Sequence, residues 1–128
     1  MPHILVIDED ASVLDAVAGL LVRLGHEVTA APTGAEGIRL WREHGADLVL
    51  TDLQMPGMTG LEVILQLRAY APGLPVIAMS GGDRSRDLDL LGSVRLLGAV
   101  GLLAKPFGGD ELVAAIAAAA GHAGEEPA

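Results

Sequence analysis

Short apolar runs alternate five times along this chain with segments in which apolar residues recur at helical spacing. The runs lie at 4–7, 28–31, 47–51, 76–79 and 99–104. The helical spacing covers 13–24, 35–44, 61–70 and part of 83–97, and a last helix is expected from an N-cap at Asp110 to about Gly121. Nearly continuous apolar strands that alternate with helices are typical of a parallel sheet buried on both faces. The pattern therefore predicts an α/β fold.

Few topologies satisfy this alternation, because the crossover between parallel strands is almost always right-handed. We expect a flavodoxin-like, doubly wound (βα)5 arrangement with strand order 2-1-3-4-5 and helices on both faces. The sequence contains no linker, no internal repeat and no second domain. It predicts one domain over residues 1–121 and a frayed C-terminal tail over 122–128.

Composition excludes several classes of function. The chain has no cysteine, which excludes a disulfide scaffold, an iron–sulfur protein and a zinc ribbon. A net charge of −9 and only three aromatic residues argue against direct binding of nucleic acid. No apolar run is long enough to span a bilayer, and no basic segment precedes the first run. We expect a cytoplasmic protein that does not bind membranes.

Polar side chains stand where the predicted strands end. Asp8 and Glu9 follow the first strand, Asp52 the third, Ser80 the fourth and Lys105 the fifth. In open α/β sheets, ligands bind outside the carboxyl ends of the strands. Strand order 2-1-3-4-5 brings these four strands side by side, so the five residues are expected to share one shallow cleft. Lys105 is the only lysine in the chain.

Such a cleft suits phosphoryl chemistry. Clustered carboxylates repel one another unless some are protonated or a cation joins them. An all-oxygen donor set favours a hard ion, and Mg²⁺ typically takes one or two carboxylates plus a phosphate. A carboxylate beside Mg²⁺ and a lysine can attack phosphorus to form an aspartyl phosphate. The metal and Lys105 would neutralise charge on the phosphoryl oxygens, and Ser80 could donate a hydrogen bond to the attached group.

Four segments together resemble the receiver domain of bacterial two-component response regulators. They are Val6-Ile7-Asp8-Glu9-Asp10, the segment from Thr51 to Gly60 (TDLQMPGMTG), Met79-Ser80-Gly81 and Lys105-Pro106-Phe107. Each segment is short, but their order and their placement at strand ends are specific together. The resemblance extends over residues 4–120.

The resemblance implies a phosphorylation-driven switch rather than an enzyme. It makes Asp52 the phosphoacceptor, which receives a phosphoryl group from a sensor histidine kinase or a phosphotransfer protein. Ser80 matches the position that senses the phosphoryl group, and Lys105 the lysine that pairs with it. A downstream protein would then bind the face formed by the fourth helix, the fifth strand and the last helix. At most, the chain would phosphorylate itself from small phosphodonors and dephosphorylate itself.

The resemblance also implies a magnesium site. Asp8 and Glu9 fill the positions of the acidic pair that holds Mg²⁺ together with Asp52, and Gln54 would contribute its backbone carbonyl. The acidic pair is Asp-Glu rather than the commoner Asp-Asp. In addition, Leu102 stands where the family often has Tyr or Phe. The stretch from Ser80 to Lys105 is slightly longer than the family leads us to expect.

Other interpretations stay open. Asp8, Glu9 and Asp10 are also suited to capping the first helix, and Asp52 and Ser80 to turns. A phosphatase of the haloacid-dehalogenase type uses similar residues, but it places an acid where this chain has Gln54. A flavin or nucleotide binder would need a glycine-rich loop after the first strand. A receiver-like scaffold that is never phosphorylated is a further alternative, and the chain is either a stand-alone receiver or part of a longer regulator.

Overall fold

A computed structural model of the chain describes residues 2–81 and 101–122. The strands are β1 (His3–Ile7), β2 (Glu27–Ala31), β3 (Leu48–Asp52), β4 (Val76–Ser80) and β5 (Gly101–Ala104). The helices are α1 (Ala11–Arg23), α2 (Gly34–His44), α3 (Gly60–Tyr70) and α4 (Gly109–His122). The predicted helix within 83–97 and residues 99–100 of the predicted fifth strand lie outside the described residues. So does the tail from 123 onward.

The five strands form one parallel sheet of order β2-β1-β3-β4-β5, which confirms the predicted fold class and topology. The boundaries differ from the predictions by a residue or two. Asp52 and Ser80 are the last residues of their strands, whereas the sequence pattern ended those strands one residue earlier. Helix α4 begins at Gly109, so Asp110 lies in its first turn and is not its N-cap.

Two hydrophobic clusters cover the two faces of the sheet because successive strand residues point to opposite sides. On one face, Leu5 and Ile7 pack with residues of α2 and α3, including Ile38 and Ile64. On the other face, the alternate strand residues Ile4, Val6 and Leu50 pack with Leu14 and Leu21 of α1 and Leu112 of α4. The described helices therefore cover much of both faces of the sheet, and the carboxyl ends of β1, β3 and β4 lie at its edge. Within the described part of the chain, no helix is long and apolar enough to cross a membrane.

Candidate functional site

Three polar side chains are buried at the carboxyl edge of the sheet. Asp8 follows β1 and is 0% exposed, while Asp52 and Ser80 end β3 and β4 and are 6% and 7% exposed. The strand register pairs Ile7 with Thr51, Asp52 with Met79 and Ser80 with Ala104, so neighbouring strands end almost level. The predicted convergence of these strand ends is therefore present in the fold.

Lys105 reaches back into this edge from the end of β5. Its Nζ lies 2.6 Å from Oδ2 of Asp8 and 3.5 Å from Oδ1 of Asp52, and its side chain is 19% exposed. The aliphatic stem crosses Gly81, where an added Cβ would come within 3.2 Å of Lys105 Cδ. The backbone N–H of Lys105 donates to the carbonyl oxygen of Ser80 at 2.6 Å, and the Lys105–Pro106 peptide bond is cis. One ammonium thus joins two carboxylates from distant parts of the chain.

Burial raises the pKa of Asp52 above its ordinary value. The positive charge of Lys105 opposes this rise, the negative charge of Asp8 adds to it, and the Gln54 N–H donates to Asp52 Oδ1 at 3.4 Å. Two carboxylates sharing one ammonium leave the site with an excess of negative charge. Such a site attracts a further cation.

Asp10 caps the first helix, as one of the alternative interpretations of the acidic run predicts. Its carboxylate accepts from the N–H groups of Ser12 and Val13 and from the Ser12 hydroxyl. These hydrogen bonds lower the pKa of Asp10, and the one from the Ser12 hydroxyl has the largest effect. Asp8 does not cap α1. Its Oδ1 instead accepts from the Asp10 N–H at 2.9 Å, which leaves Oδ2 directed at Lys105.

Glu9 does not join the buried acids. It is exposed, where its carboxylate stays hydrated. Across residues 2–81 and 101–122, no group of three or more His, Cys, Asp and Glu side chains is arranged to hold a metal ion. The expected cluster of three carboxylates is therefore reduced to Asp8 and Asp52 in this arrangement. The two still fit Mg²⁺ as a donor set, because they supply only oxygen and carry more negative charge than Lys105 neutralises.

The loop after Asp52 is fixed by a contact that sequence reasoning did not find. A Cβ on Gly60 would lie 2.2 Å from the carbonyl oxygen of Asp52 and 2.7 Å from Cα of Leu53. Gly60 also donates its N–H to the Leu53 carbonyl at 3.2 Å. The start of α3 thus lies so close to the backbone of Asp52 and Leu53 that a side chain at position 60 would clash with it. The one signal in the sequence is the presence of glycine where a helix begins.

The turn before α3 also depends on glycine. Gly57, which directly follows Pro56 in the sequence, has a φ of +75°. Proline fixes φ for the first central position of a turn, and glycine adopts the left-handed second position without strain. On β5, Leu102 stands where the family resemblance leads us to expect Tyr or Phe, and its aliphatic side chain is 37% exposed.

Comparisons with known proteins agree with this geometry. A family model described as the response regulator receiver domain matches residues 4–117. RegX3 of Mycobacterium tuberculosis, a sensory transduction protein, is 34% identical over 126 residues, which cover 98% of this chain and 54% of RegX3. The transcriptional regulatory protein KdpE of the same species is 38% identical over 121 residues, which cover 93% of this chain and 51% of KdpE. This chain therefore spans about half the length of these curated relatives.

A solved structure supports the same assignment. The receiver domain protein of Clostridium thermocellum has a TM-score of 0.86 at 32% identity, with 93% of this chain and 94% of that chain covered. The match does not favour the phosphatase alternative, since a receiver is a signalling domain rather than a classical enzyme. This chain belongs to the family of response regulator receiver domains of two-component signalling.

Proposed function

We propose that Asp52 is the phosphoacceptor of this receiver. The proposal is supported above all by the position of Lys105 Nζ, which lies 2.6 Å from Asp8 Oδ2 and 3.5 Å from Asp52 Oδ1. Lys105 and Asp8 are 97 residues apart in the sequence, so the fold alone brings them together. Asp52 ends a strand, so its carboxylate is held on a rigid element at the open edge of the sheet. A phosphoryl group that arrives there meets a nucleophile and a cation that are already oriented.

The proposed step is an in-line transfer. A carboxylate oxygen of Asp52 forms a bond to phosphorus as the P–N bond of a donor phosphohistidine breaks. The imidazole nitrogen keeps the electron pair of that bond, and the product is an acyl phosphate on Asp52. The donor would be a sensor histidine kinase or a phosphotransfer protein, and we place the transfer in the cytoplasm.

Lys105 and Ser80 would read the phosphorylated state. The acyl phosphate brings more negative charge to a site with one ammonium, so Lys105 is expected to shift from Asp8 toward the phosphoryl oxygens. Ser80 would donate its hydroxyl to the same group. The hydrogen bond from Lys105 N–H to the Ser80 carbonyl links the backbones of the two residues, so a shift of one is expected to displace the other. The ends of β4 and β5 would then move together.

Asp8 and Asp52 would hold Mg²⁺ with the backbone carbonyl of Gln54, and Glu9 would complete the acidic pair through water or by turning inward. The excess negative charge of Asp8 and Asp52 over Lys105 supports this assignment. When bound, the ion would neutralise the phosphoryl oxygens during transfer. Asp52 remains the nucleophile, while Asp8 would orient the site from its buried position.

The output of the switch would be a contact with another protein. The net charge of −9 disfavours direct binding of nucleic acid by this chain. We propose residues 1–121 as the receiver unit, although α4 continues to His122. The proposed face for the downstream partner includes the surface of β5 and α4. The predicted helix within 83–97, which the resemblance adds to this face, lies outside the described residues. Self-phosphorylation from small phosphodonors would be the limit of the chain's own catalysis.

Intact mass spectrometry after incubation with acetyl phosphate and Mg²⁺ tests the proposal. The wild-type chain is expected to gain one phosphoryl group, and Asp52→Asn is expected to gain none. Asp15→Asn is the matched control, because Asp15 is an exposed acid on α1 away from the site. Removal of Mg²⁺ with a chelator is expected to abolish the gain. A mass gain that persists in Asp52→Asn would place the acceptor elsewhere, and a gain without Mg²⁺ would contradict the metal assignment.

A further inference from the structure

A fully buried hydroxyl group precedes the proposed phosphoacceptor in the sequence. Thr51 stands beside Ile7 of β1 and Ala78 of β4 in the register of the sheet, and it has no exposed surface. Both neighbours belong to the hydrophobic cluster that packs with α2 and α3. Since successive strand residues point to opposite faces, the Thr51 side chain points into that cluster and away from the Asp52 carboxylate. The fold thus places a polar group in an apolar layer.

The hydroxyl group of Thr51 is not explained by packing. Valine has the same branched shape, and it would fill this place without the cost of removing a hydroxyl group from water. That cost is offset only where the hydroxyl group forms a hydrogen bond. The Thr51 hydroxyl donates to the backbone carbonyl oxygen of Asp52 at 3.2 Å. Its partner is therefore the main chain of the proposed nucleophile.

The peptide unit that follows Asp52 is held on its other sides as well. Its N–H, which belongs to Leu53, donates to the Met79 carbonyl oxygen at 3.0 Å. Gly60 lies so close that an added Cβ would come within 2.2 Å of the Asp52 carbonyl oxygen, and its N–H donates to the Leu53 carbonyl oxygen at 3.2 Å. These contacts restrict rotation of the Asp52 main chain about its Cα–C bond. The Thr51 hydroxyl adds a hydrogen bond to the carbonyl end of the same unit.

The orientation of this peptide unit is passed on to the carboxylate. The Gln54 N–H, two residues further on, donates to Asp52 Oδ1 at 3.4 Å. The same oxygen lies 3.5 Å from Lys105 Nζ. A turn of the peptide unit after Asp52 would move the Gln54 N–H and loosen the carboxylate beside the ammonium. Transfer of a group between oriented reactants is sensitive to displacements of this kind.

We propose that Thr51 is a positioning residue for phosphoryl transfer. Its hydroxyl holds the Asp52 carbonyl and thereby keeps the Asp52 carboxylate directed toward Lys105 and the incoming phosphorus. No bond to Thr51 forms or breaks in the reaction. The inference rests on the proposed function, because it takes Asp52 as the phosphoacceptor. A displaced nucleophile lowers the rate at which the bound donor reacts and leaves the affinity for the donor unchanged.

Two variants of Thr51 separate positioning from stability. Thr51→Val keeps the shape and loses the hydroxyl group, so the maximum rate of phosphorylation by acetyl phosphate is expected to fall about fivefold, as for the loss of one hydrogen bond. Thr51→Ser keeps the hydroxyl group and loses a buried methyl group, so its maximum rate is expected to stay near the wild-type rate. Stability should follow the other order, because the lost methyl group lowers the urea midpoint of Thr51→Ser. A purely structural role would make the rate follow the stability.

Intact mass spectrometry over time, at a series of acetyl phosphate concentrations and saturating Mg²⁺, gives the maximum rate and the half-saturating concentration. Thr29→Val is the matched control, since the Thr29 hydroxyl is hydrogen-bonded to His3 Nε2 at 2.6 Å and Thr29 lies level with Leu5, away from the carboxyl edge. The control is expected to keep the wild-type maximum rate.

Three results would overturn the inference. They are a maximum rate in Thr51→Val equal to that of the wild type, an equal fall in Thr29→Val, and a Thr51→Ser variant as slow as Thr51→Val. A change confined to the half-saturating concentration would also overturn it, because the hydroxyl group would then act on donor binding. A wild-type chain that gains no phosphoryl group, or a gain that persists in Asp52→Asn, would refute the proposed function itself and the inference with it.

Discussion

Replacing Lys105 with methionine removes the one ammonium that joins Asp8 and Asp52. At an effective dielectric constant of about 20, unit charges at 2.6 and 3.5 Å attract by about 6 and 5 kcal/mol. Dehydration of the three charged groups offsets much of that attraction. Removing one partner of a buried pair typically costs about 3–5 kcal/mol, because it leaves an uncompensated charge. Since the Lys105 side chain is 19% exposed, we expect a loss near the lower end, about 3 kcal/mol.

Urea unfolding at pH 7, followed by circular dichroism, measures this loss. The free energy of unfolding should fall by about 3 kcal/mol and the melting temperature by about 10 °C. If uncompensated charge is the cause, adding Asp8→Asn to Lys105→Met should recover part of the stability. In the wild-type background, Asp8→Asn should instead lower the free energy of unfolding, because there it breaks the ion pair between Asp8 and Lys105. This change of sign separates an electrostatic effect from a loss of packing by the lysine stem.

Arg39→Met is the matched control for the loss of a cation. Arg39 forms ion pairs with Glu36 and Glu43 on the exposed surface of α2, where water screens the charges, so its loss should leave the unfolding midpoint nearly unchanged. A loss below about 1 kcal/mol in Lys105→Met would refute the reasoning, since that is the range of an exposed pair. Additive effects of Lys105→Met and Asp8→Asn would also refute it.

Two further predictions concern Asp52 and its support. Burial raises the pKa of Asp52 in the folded state. The folded chain therefore binds the proton of the Asp52 carboxyl group more tightly than the unfolded chain does. As a result, the contribution of Asp52 to stability falls as pH rises through the raised pKa. Asp52→Asn should therefore be more stable than wild type at pH 7. Urea unfolding of both chains from pH 8 downward should show this difference shrinking as pH falls through the raised pKa toward the ordinary value of 3.8, and a difference that stays constant down to that value would contradict the assignment. Gly60→Ala should lower the free energy of unfolding by about 3 kcal/mol or more, because its Cβ would meet the Asp52 carbonyl oxygen at 2.2 Å. Gly73→Ala, with nothing within 4 Å of its Cβ, is the control, and equal losses in thermal melts would refute the contact argument.

The sequence predicted the fold because the fold depends on local periodicity. Apolar runs and helical spacing specify strands and helices, and the handedness of crossovers then limits the strand order. The same logic placed Asp8, Asp52, Ser80 and Lys105 at one edge of the sheet, since each follows or ends a predicted strand. The ends of these strands at Asp52 and Ser80 were each predicted one residue too early, because a buried polar residue at a strand end has no apolar signal of its own.

The details of the site depend on contacts between distant residues, and these leave little trace in the sequence. Consecutive acids cannot be assigned by residue type, so the separate surroundings of Asp8, Glu9 and Asp10 emerged only from the fold. The need for glycine at position 60 arises from the backbone of Asp52, eight residues earlier in the chain. The start of α4 was predicted at the wrong residue. A glutamate at the third helical position, which is a known capping signal, would have identified Gly108 as the N-cap.

The position of Lys105 suggests how a signal at Asp52 would leave the site. Its ammonium contacts the site, its N–H is bonded to the end of β4, and Phe107, two residues later, packs against the cluster that α1 and α4 cover. Packed cores change between discrete arrangements rather than deforming smoothly. If the proposed function holds, a shift of the Lys105 ammonium toward a phosphoryl group would therefore change how Phe107 packs and where the start of α4 lies.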